Sequence, residues 1–128
     1  MRQLSLDDFV ECAFPDQPLT NRLNALFPGW EVVGYMHRYS WETKEDYTVM
    51  IWNRERYHLV TATICQDGRD YVGYVERDDF EPSWFNAKGN REWIWGSLEH
   101  RNRIFEVAEA NRGRFERRYY YQVNRRAQ

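Results

Sequence analysis

Lysine is almost missing from this chain: Lys44 and Lys88 stand against sixteen arginines in 128 residues. Serine is nearly as scarce, with only Ser5, Ser40, Ser83 and Ser97, and none sits in a Gly-x-Ser-x-Gly elbow. Two cysteines occur, Cys12 and Cys65, without a Cys-x-x-Cys pair, and no His-Glu-x-x-His stands in the chain. The sequence signatures of a zinc site are therefore lacking. No glycine-rich phosphate loop is present, and Lys88-Gly89 is a lone dipeptide. No apolar run reaches the roughly 18 residues of a membrane span. The first eight residues, Met1-Arg2-Gln3-Leu4-Ser5-Leu6-Asp7-Asp8, are too acidic and too poor in apolar side chains for a signal peptide. These absences lead to an expectation of a protein without membrane contact, without cofactor or metal, and with two free thiols in a reducing cytoplasm.

What is present is charge of unequal distribution. Residues 101–128 hold eight arginines against Glu106, Glu109 and Glu116, a net of +5, so residues 1–100 carry −7 of the total −2. Such division favours a charged partner or a second copy of the chain. Aromatic residues make up 17% of the sequence, with six Trp, nine Tyr and seven Phe. Disordered chains lack such residues, and bulky rings fill a small core with few side chains. The length fits one domain spanning 1–128 with one real core. Arginine makes planar, stacked and bidentate contacts that lysine cannot, although genomic base composition produces the same bias.

Two helices are predicted first. Ser5 with Asp8 resembles a capping box, Leu4 with Phe9 fits a hydrophobic staple, and Leu6, Phe9, Val10 and Ala13 form one apolar face ending at Pro15. Leu19, Leu23 and Leu26 align a second helix from about Pro18 to Phe27, ended by Pro28-Gly29. From Trp30 the period changes. Trp30–Glu42, Tyr47–Asn53, Tyr57–Cys65 and Asp70–Arg77 read as four strands of an antiparallel meander. Asp67-Gly68 is its strongest hairpin signal, because type I′ turns need positive φ. Trp84 and Phe85 are expected to pin an irregular segment over 82–90. Asn90 is placed to cap a long C-terminal helix to about Arg112, with Ile94, Leu98, Phe105 and Ala108 in one stripe and Glu99–Arg103 as an i,i+4 pair. Gly113 is placed to end it. Residues 114–126 fit both a helix face and strand alternation. The run Tyr119-Tyr120-Tyr121 tilts them to a fifth strand. The fold class is α+β.

Turn positions give a register. Trp52 faces Tyr57, Ile51 faces His58 and Met50 faces Leu59; a two-residue turn at Asp67-Gly68 sets Ile64 against Tyr71, Ala62 against Gly73 and Val60 against Val75. One sheet face then holds Val49, Ile51, Val60, Ala62, Ile64, Tyr71 and Val75. The other holds Met50, Trp52, Tyr57, Leu59, Val72 and Tyr74. A half-solvated antiparallel sheet alternates apolar with polar. This one is apolar on both faces, so either helices cover both or one face awaits a partner.

No catalytic set emerges. His37 and His58 are placed on one face with Ile51 between them, roughly 9–10 Å apart, too far to share a metal. His58 and Cys65 differ by seven positions and fall on opposite faces. Asp78, Asp79 and Glu81 lie in a solvated acidic connector with nothing apolar to raise a pKa. The reading is a non-enzymatic, inhibitor- or adaptor-like binding protein that contacts another protein, or its own copy as a homodimer. Its contact residues are Trp52, Tyr57 and Tyr74 on the aromatic sheet face and Asp78, Asp79 and Glu81 beside it, since Trp and Tyr anchor interfaces. Two alternatives stand beside it. One is single-stranded nucleic-acid or anion binding through Arg101, Arg114, Arg117, Arg118, Tyr119 and Tyr121, where guanidiniums meet phosphates and rings meet bases. The acidic remainder of the chain opposes that. The other is a small-ligand or enzyme pocket over the sheet.

Overall fold

The computed structural model describes residues 14–75, 80, 85 and 93–112. Within them lie helix α1 (Gln17–Ala25), strands β1 (Glu31–Ser40), β2 (Lys44–Trp52), β3 (Tyr57–Cys65), β4 (Tyr71–Val75) and β5 (Ile94–Trp95), and helix α2 (Leu98–Ala110). The sheet order is β4-β3-β2-β1-β5, with every neighbouring pair antiparallel. The fold is α+β, as expected. The helix read over residues 5–13 and the strand read over 114–126 lie outside the described residues. No helix among the described residues is long and apolar enough to cross a membrane.

Helix α1 starts where Asp16, in extended conformation, accepts from the Leu19 N–H at 3.0 Å. Pro18 sits in the first turn, where its missing donor costs nothing. Leu23 and Phe27 are buried against the sheet. Asn24 at the helix end accepts from the Val32 N–H at 2.9 Å and so aligns α1 with β1.

The β2–β3 pairing matches the register read from the Arg54–Arg56 turn: Trp52 pairs with Tyr57, Ile51 with His58 and Met50 with Leu59. Asn53 Oδ1 accepts from the N–H groups of Glu55 and Arg56 and closes that turn. Arg54 at its tip has φ 80°, a region that costs a side-chain-bearing residue about 1 kcal/mol. Arg54→Gly is expected to raise stability by about 0.5–1 kcal/mol. A thermal melt checks it, and a lowered midpoint would mean that the arginine side chain contributes more than its backbone loses.

The other hairpin differs from expectation. Gly68 does have positive φ, at 83°, but its N–H closes a turn onto the Cys65 carbonyl, and the connection runs on to Asp70. Thr63 pairs with Tyr71 and Ala62 with Val72, one residue off the expected register, while Val60 pairs with Val75 as expected, beyond a register shift between Val60 and Ala62. The cause is the Asp70 carboxylate, which takes the Cys65 N–H at 2.9 Å in place of a ladder partner. A one-residue slip moves a side chain to the opposite face. Val72 accordingly joins the α1 side, while Tyr71 pairs with Thr63 on the other.

Both faces of the sheet are covered. On one, Leu23 of α1 and Phe27 just beyond its end pack on Val32, Tyr35, Tyr47, Val49, Ile51, Val60, Ala62 and Ile64. On the other, Ile104 and Ala108 of α2, with Phe80, Phe85, Trp93 and Trp95, pack on Val33, Met50, Tyr57 and Leu59. An irregularity in β1 between Val32 and Gly34 makes this division. The extra residue inverts the alternation, so that Val32 and Tyr35 share the α1 face and Val33 faces α2.

The C-terminal helix also starts later than the sequence pattern indicates. Ser97 caps it, accepting from the His100 N–H at 3.2 Å. Ile94, read as the first member of the helical stripe, lies in β5 opposite Tyr35. Gly96 follows as a bend, its N–H on the Val33 carbonyl. Ile104 and Ala108 are the buried residues of α2. The Glu99–Arg103 pair forms at 2.7 Å.

Candidate functional site

Among the described residues, the three most exposed large side chains of apolar or aromatic type gather at one end of the sheet. Tyr39 is 56% exposed, Trp41 50% and Tyr71 45%. Tyr39 ends the paired part of β1 beside Ser40, and Trp41 opens the turn to β2, its N–H on the Lys44 carbonyl at 2.8 Å. The Tyr39 and Trp41 rings meet edge to face at 4.7 Å. Across the strand ends, the Lys44 ammonium lies over the Tyr71 ring at 5.7 Å. Gln66 N–H bonds the Thr43 carbonyl and holds the two hairpin turns together.

Two shallow grooves flank this end and share Thr43, Lys44, Cys65 and Gln66. One, of about 480 Å³, continues to Asp67, Arg69 and Tyr71. The other, of about 280 Å³, continues to Arg22, Trp41, Glu42, Glu45 and Ile64. Charge here is nearly balanced: Arg22, Arg38, Lys44 and Arg69 face Glu42, Glu45, Asp46, Asp67 and Asp70. Most of it is paired internally, as Arg22–Asp70, Arg38–Asp46 and Arg69–Asp67.

A polar triangle stiffens the hairpin. His37 Nε2 lies 2.5 Å from Glu45 Oε2, and the Ser40 hydroxyl donates to the same oxygen at 2.6 Å. Ser40 Oγ is 3.1 Å from His37 Nε2. The Ser40 hydroxyl, then His37, hold the Glu45 carboxyl below its usual range. Serine, histidine and carboxylate together suggest a nucleophile, but the geometry opposes one. A working triad places carboxylate and serine on opposite imidazole nitrogens. Here both meet Nε2, and the serine proton already points at the carboxylate. Glu45 and His37 are each 44% exposed, which leaves the group in water. The triangle positions the backbone under Tyr39 and Trp41.

The residues read as contacts from sequence are placed differently. Tyr57 is buried beneath α2, and Trp52 is partly buried against the His100 ring at 4.6 Å. Of the two alternatives read from the sequence, a covered face or one awaiting a partner, this face is covered by the chain's own helix. Tyr74 lies in β4, and its side chain is outside the described residues. Asp78, Asp79, Glu81, Arg114, Arg117, Arg118, Tyr119 and Tyr121 are outside them too. Arg101 lies with its guanidinium over the Phe105 ring at 5.1 Å, so its stem follows the apolar stripe as a snorkelling residue does. His37 and His58 are not separated by Ile51 alone: Ile51 pairs with Val32, and His37 pairs with Tyr47 further along. Among the described residues no group of three His, Cys, Asp or Glu could hold a metal ion.

A third opening, of about 350 Å³, lies over the α1 face between Phe27, Pro28, Trp30, Ile51, His58, Val60 and Val72. Among its described lining residues the one titratable side chain is His58, whose ring meets Trp30 at 4.7 Å. An imidazole with no second titratable group among the described lining residues is a thin basis for catalysis.

Tyr39, Trp41 and Tyr71 were not singled out by sequence reasoning. The available signal was the i, i+2 spacing of Tyr39 and Trp41, alternating with Arg38, Ser40 and Glu42 immediately before a polar turn. That spacing places two rings on one side of a strand end that runs beyond the core. Compared with protein-family models, curated proteins and solved structures, the chain matches none of them.

Proposed function

We propose that this is a binding protein that engages another protein through the tip of its β1–β2 hairpin, with Tyr39 and Trp41 as anchors. The observation that carries the reading is the exposed edge-to-face pair of these rings, 56% and 50% accessible in a sheet whose other aromatic side chains largely serve the two cores. Tyr and Trp are the residue types that dominate interface energetics. They lie on a hairpin stiffened by the His37–Ser40–Glu45 triangle, so little order must be gained on binding. Tyr71 with Lys44 extends the surface across the strand ends. The balanced charge favours a partner with an apolar pocket and a mixed polar rim over a polyanion, which needs a cationic surplus.

The expected outcome of Tyr39→Ala with Trp41→Ala is a loss of partner affinity of at least about 30-fold, or about 2 kcal/mol. Stability should change by no more than about 0.5 kcal/mol, since neither ring fills a core. A photo-reactive residue at position 41 of the full chain, in its native cell, should yield one discrete protein adduct that Tyr39→Ala removes. The same probe at exposed Val107 on α2 serves as control. Equal labelling from both positions, or none from position 41, would sink the reading.

A further inference from the structure

His100 stands in the first turn of α2, with its backbone N–H on the capping Ser97 hydroxyl. Its ring lies on the sheet. Nδ1 is 2.8 Å from the Tyr57 hydroxyl, and the ring meets Trp52 edge to face at 4.6 Å. Tyr57 is only 8% exposed, and a largely buried phenol is stabilised by an acceptor inside the protein for its hydroxyl proton. A neutral imidazole with a bare Nδ1 is that acceptor. An imidazolium cannot be, because both of its nitrogens are donors.

We propose that His100 is a pH-operated latch on α2: neutral, it fastens the first turn of the helix to Tyr57 and Trp52, and protonated, it releases that turn from the sheet. The charges around the ring come from several elements. Glu99 and Arg103 flank it on α2, Glu31 faces it from β1 and Tyr57 from β3. Glu31 and Glu99 favour the imidazolium, while burial and Arg103 oppose it. The positive end of the helix opposes it as well. Arg103 also faces the Tyr57 hydroxyl, so a protonated His100 would leave that phenol oxygen between two cations with nowhere to donate. Opposition prevails, burial being the largest cause, and His100 titrates below the ordinary 6.5. The sign follows: the docked helix keeps its full stability above about pH 6.5 and loses it as pH falls through the lower folded value.

Backbone hydrogen exchange over residues 98–110 of the full chain tests this between about pH 7.5 and 5. After correction for intrinsic exchange, the first turns of α2 should lose about tenfold in protection across that range. His100→Gln carries an amide oxygen that can accept from Tyr57 but does not titrate, and its profile should stay flat. If His100→Gln shows the same acid loss, the sensor is another group and the proposal falls. A second measurement needs no variant. Nitrogen NMR of the His100 ring near pH 7.5 should place the proton on Nε2, and a proton on Nδ1 overturns the latch.

Discussion

Trp95→Ala is expected to lower stability by about 3–5 kcal/mol, the range of large aromatic deletions from a core. Trp95 is 3% exposed and stacks on Trp93 at 5.0 Å and 10°. Phe85 and Phe105 meet it on other sides. Removing the ring opens a cavity between elements that cannot close without moving β5, which is only two residues long. The same ring explains Gly34. A Cβ there would meet Trp95 Cε3 at 2.5 Å and Cζ3 at 2.6 Å, inside any real carbon contact. Gly34→Ala should therefore cost about 1–3 kcal/mol by overpacking. Combined, the two changes should cost less than their sum, because the clash disappears with the ring. Urea unfolding of the four proteins measures the coupling. Strict additivity would mean that the ring does not lie across Gly34.

Asp70→Ala is expected to cost about 2–3 kcal/mol, because it strands the Cys65 N–H and takes the carboxylate partner from the Arg22 guanidinium. Arg22 of α1 bonds Asp70 by Nε at 2.8 Å and by Nη2 at 2.5 Å, and its Nη2 also reaches the Cys65 carbonyl at 2.7 Å. Asp70 returns a bond to the Cys65 N–H. One carboxylate thus ties α1 to the β3–β4 turn. Its side chain is 11% exposed, but Arg22 is 41% exposed, so solvent screens the Coulomb share and the hydrogen bonds contribute most. The Arg22 hydrogen bond first, then the Cys65 N–H, hold the Asp70 carboxyl below its ordinary 3.8. The stabilisation is therefore in place above about pH 3.8 and is lost as pH falls through the lower folded value. The gap between wild type and Asp70→Ala should narrow in acid. Paired unfolding curves at neutral and acid pH decide it, and an unchanged gap would assign the effect to shape alone.

Much of the architecture was legible because its causes are local. Period-2 alternation with β-branched residues marked β2 and β3, and the Asn53–Arg56 turn set their register without error. The leucine spacing of α1 and the Glu99–Arg103 pair of α2 were readable in the same way. The β3–β4 register was legible at Val60–Val75 but not beside the turn, where Asp70 takes the Cys65 N–H and meets an arginine 48 residues away. Nor was β5. Ile94 fits a helical stripe by spacing, and only its pairing with Tyr35 makes it a strand. The candidate site was missed for a related reason. Tyr39 and Trp41 resemble the buried aromatics around them in sequence, and their exposure follows from lying beyond the helices that cover the rest of the sheet.

By itself, the sequence determined the α+β class, the meander and the apolar character of both sheet faces, since side-chain direction along a strand depends only on neighbouring residues. Tertiary structure decided what lies on those faces. Two helices, from opposite sides of the sheet in sequence order, close both and convert Tyr57 from a candidate contact into a buried partner of His100. Burial is a property of where distant chain segments return. An irregularity in β1 and a carboxylate at the end of a turn were enough to redirect whole rows of side chains.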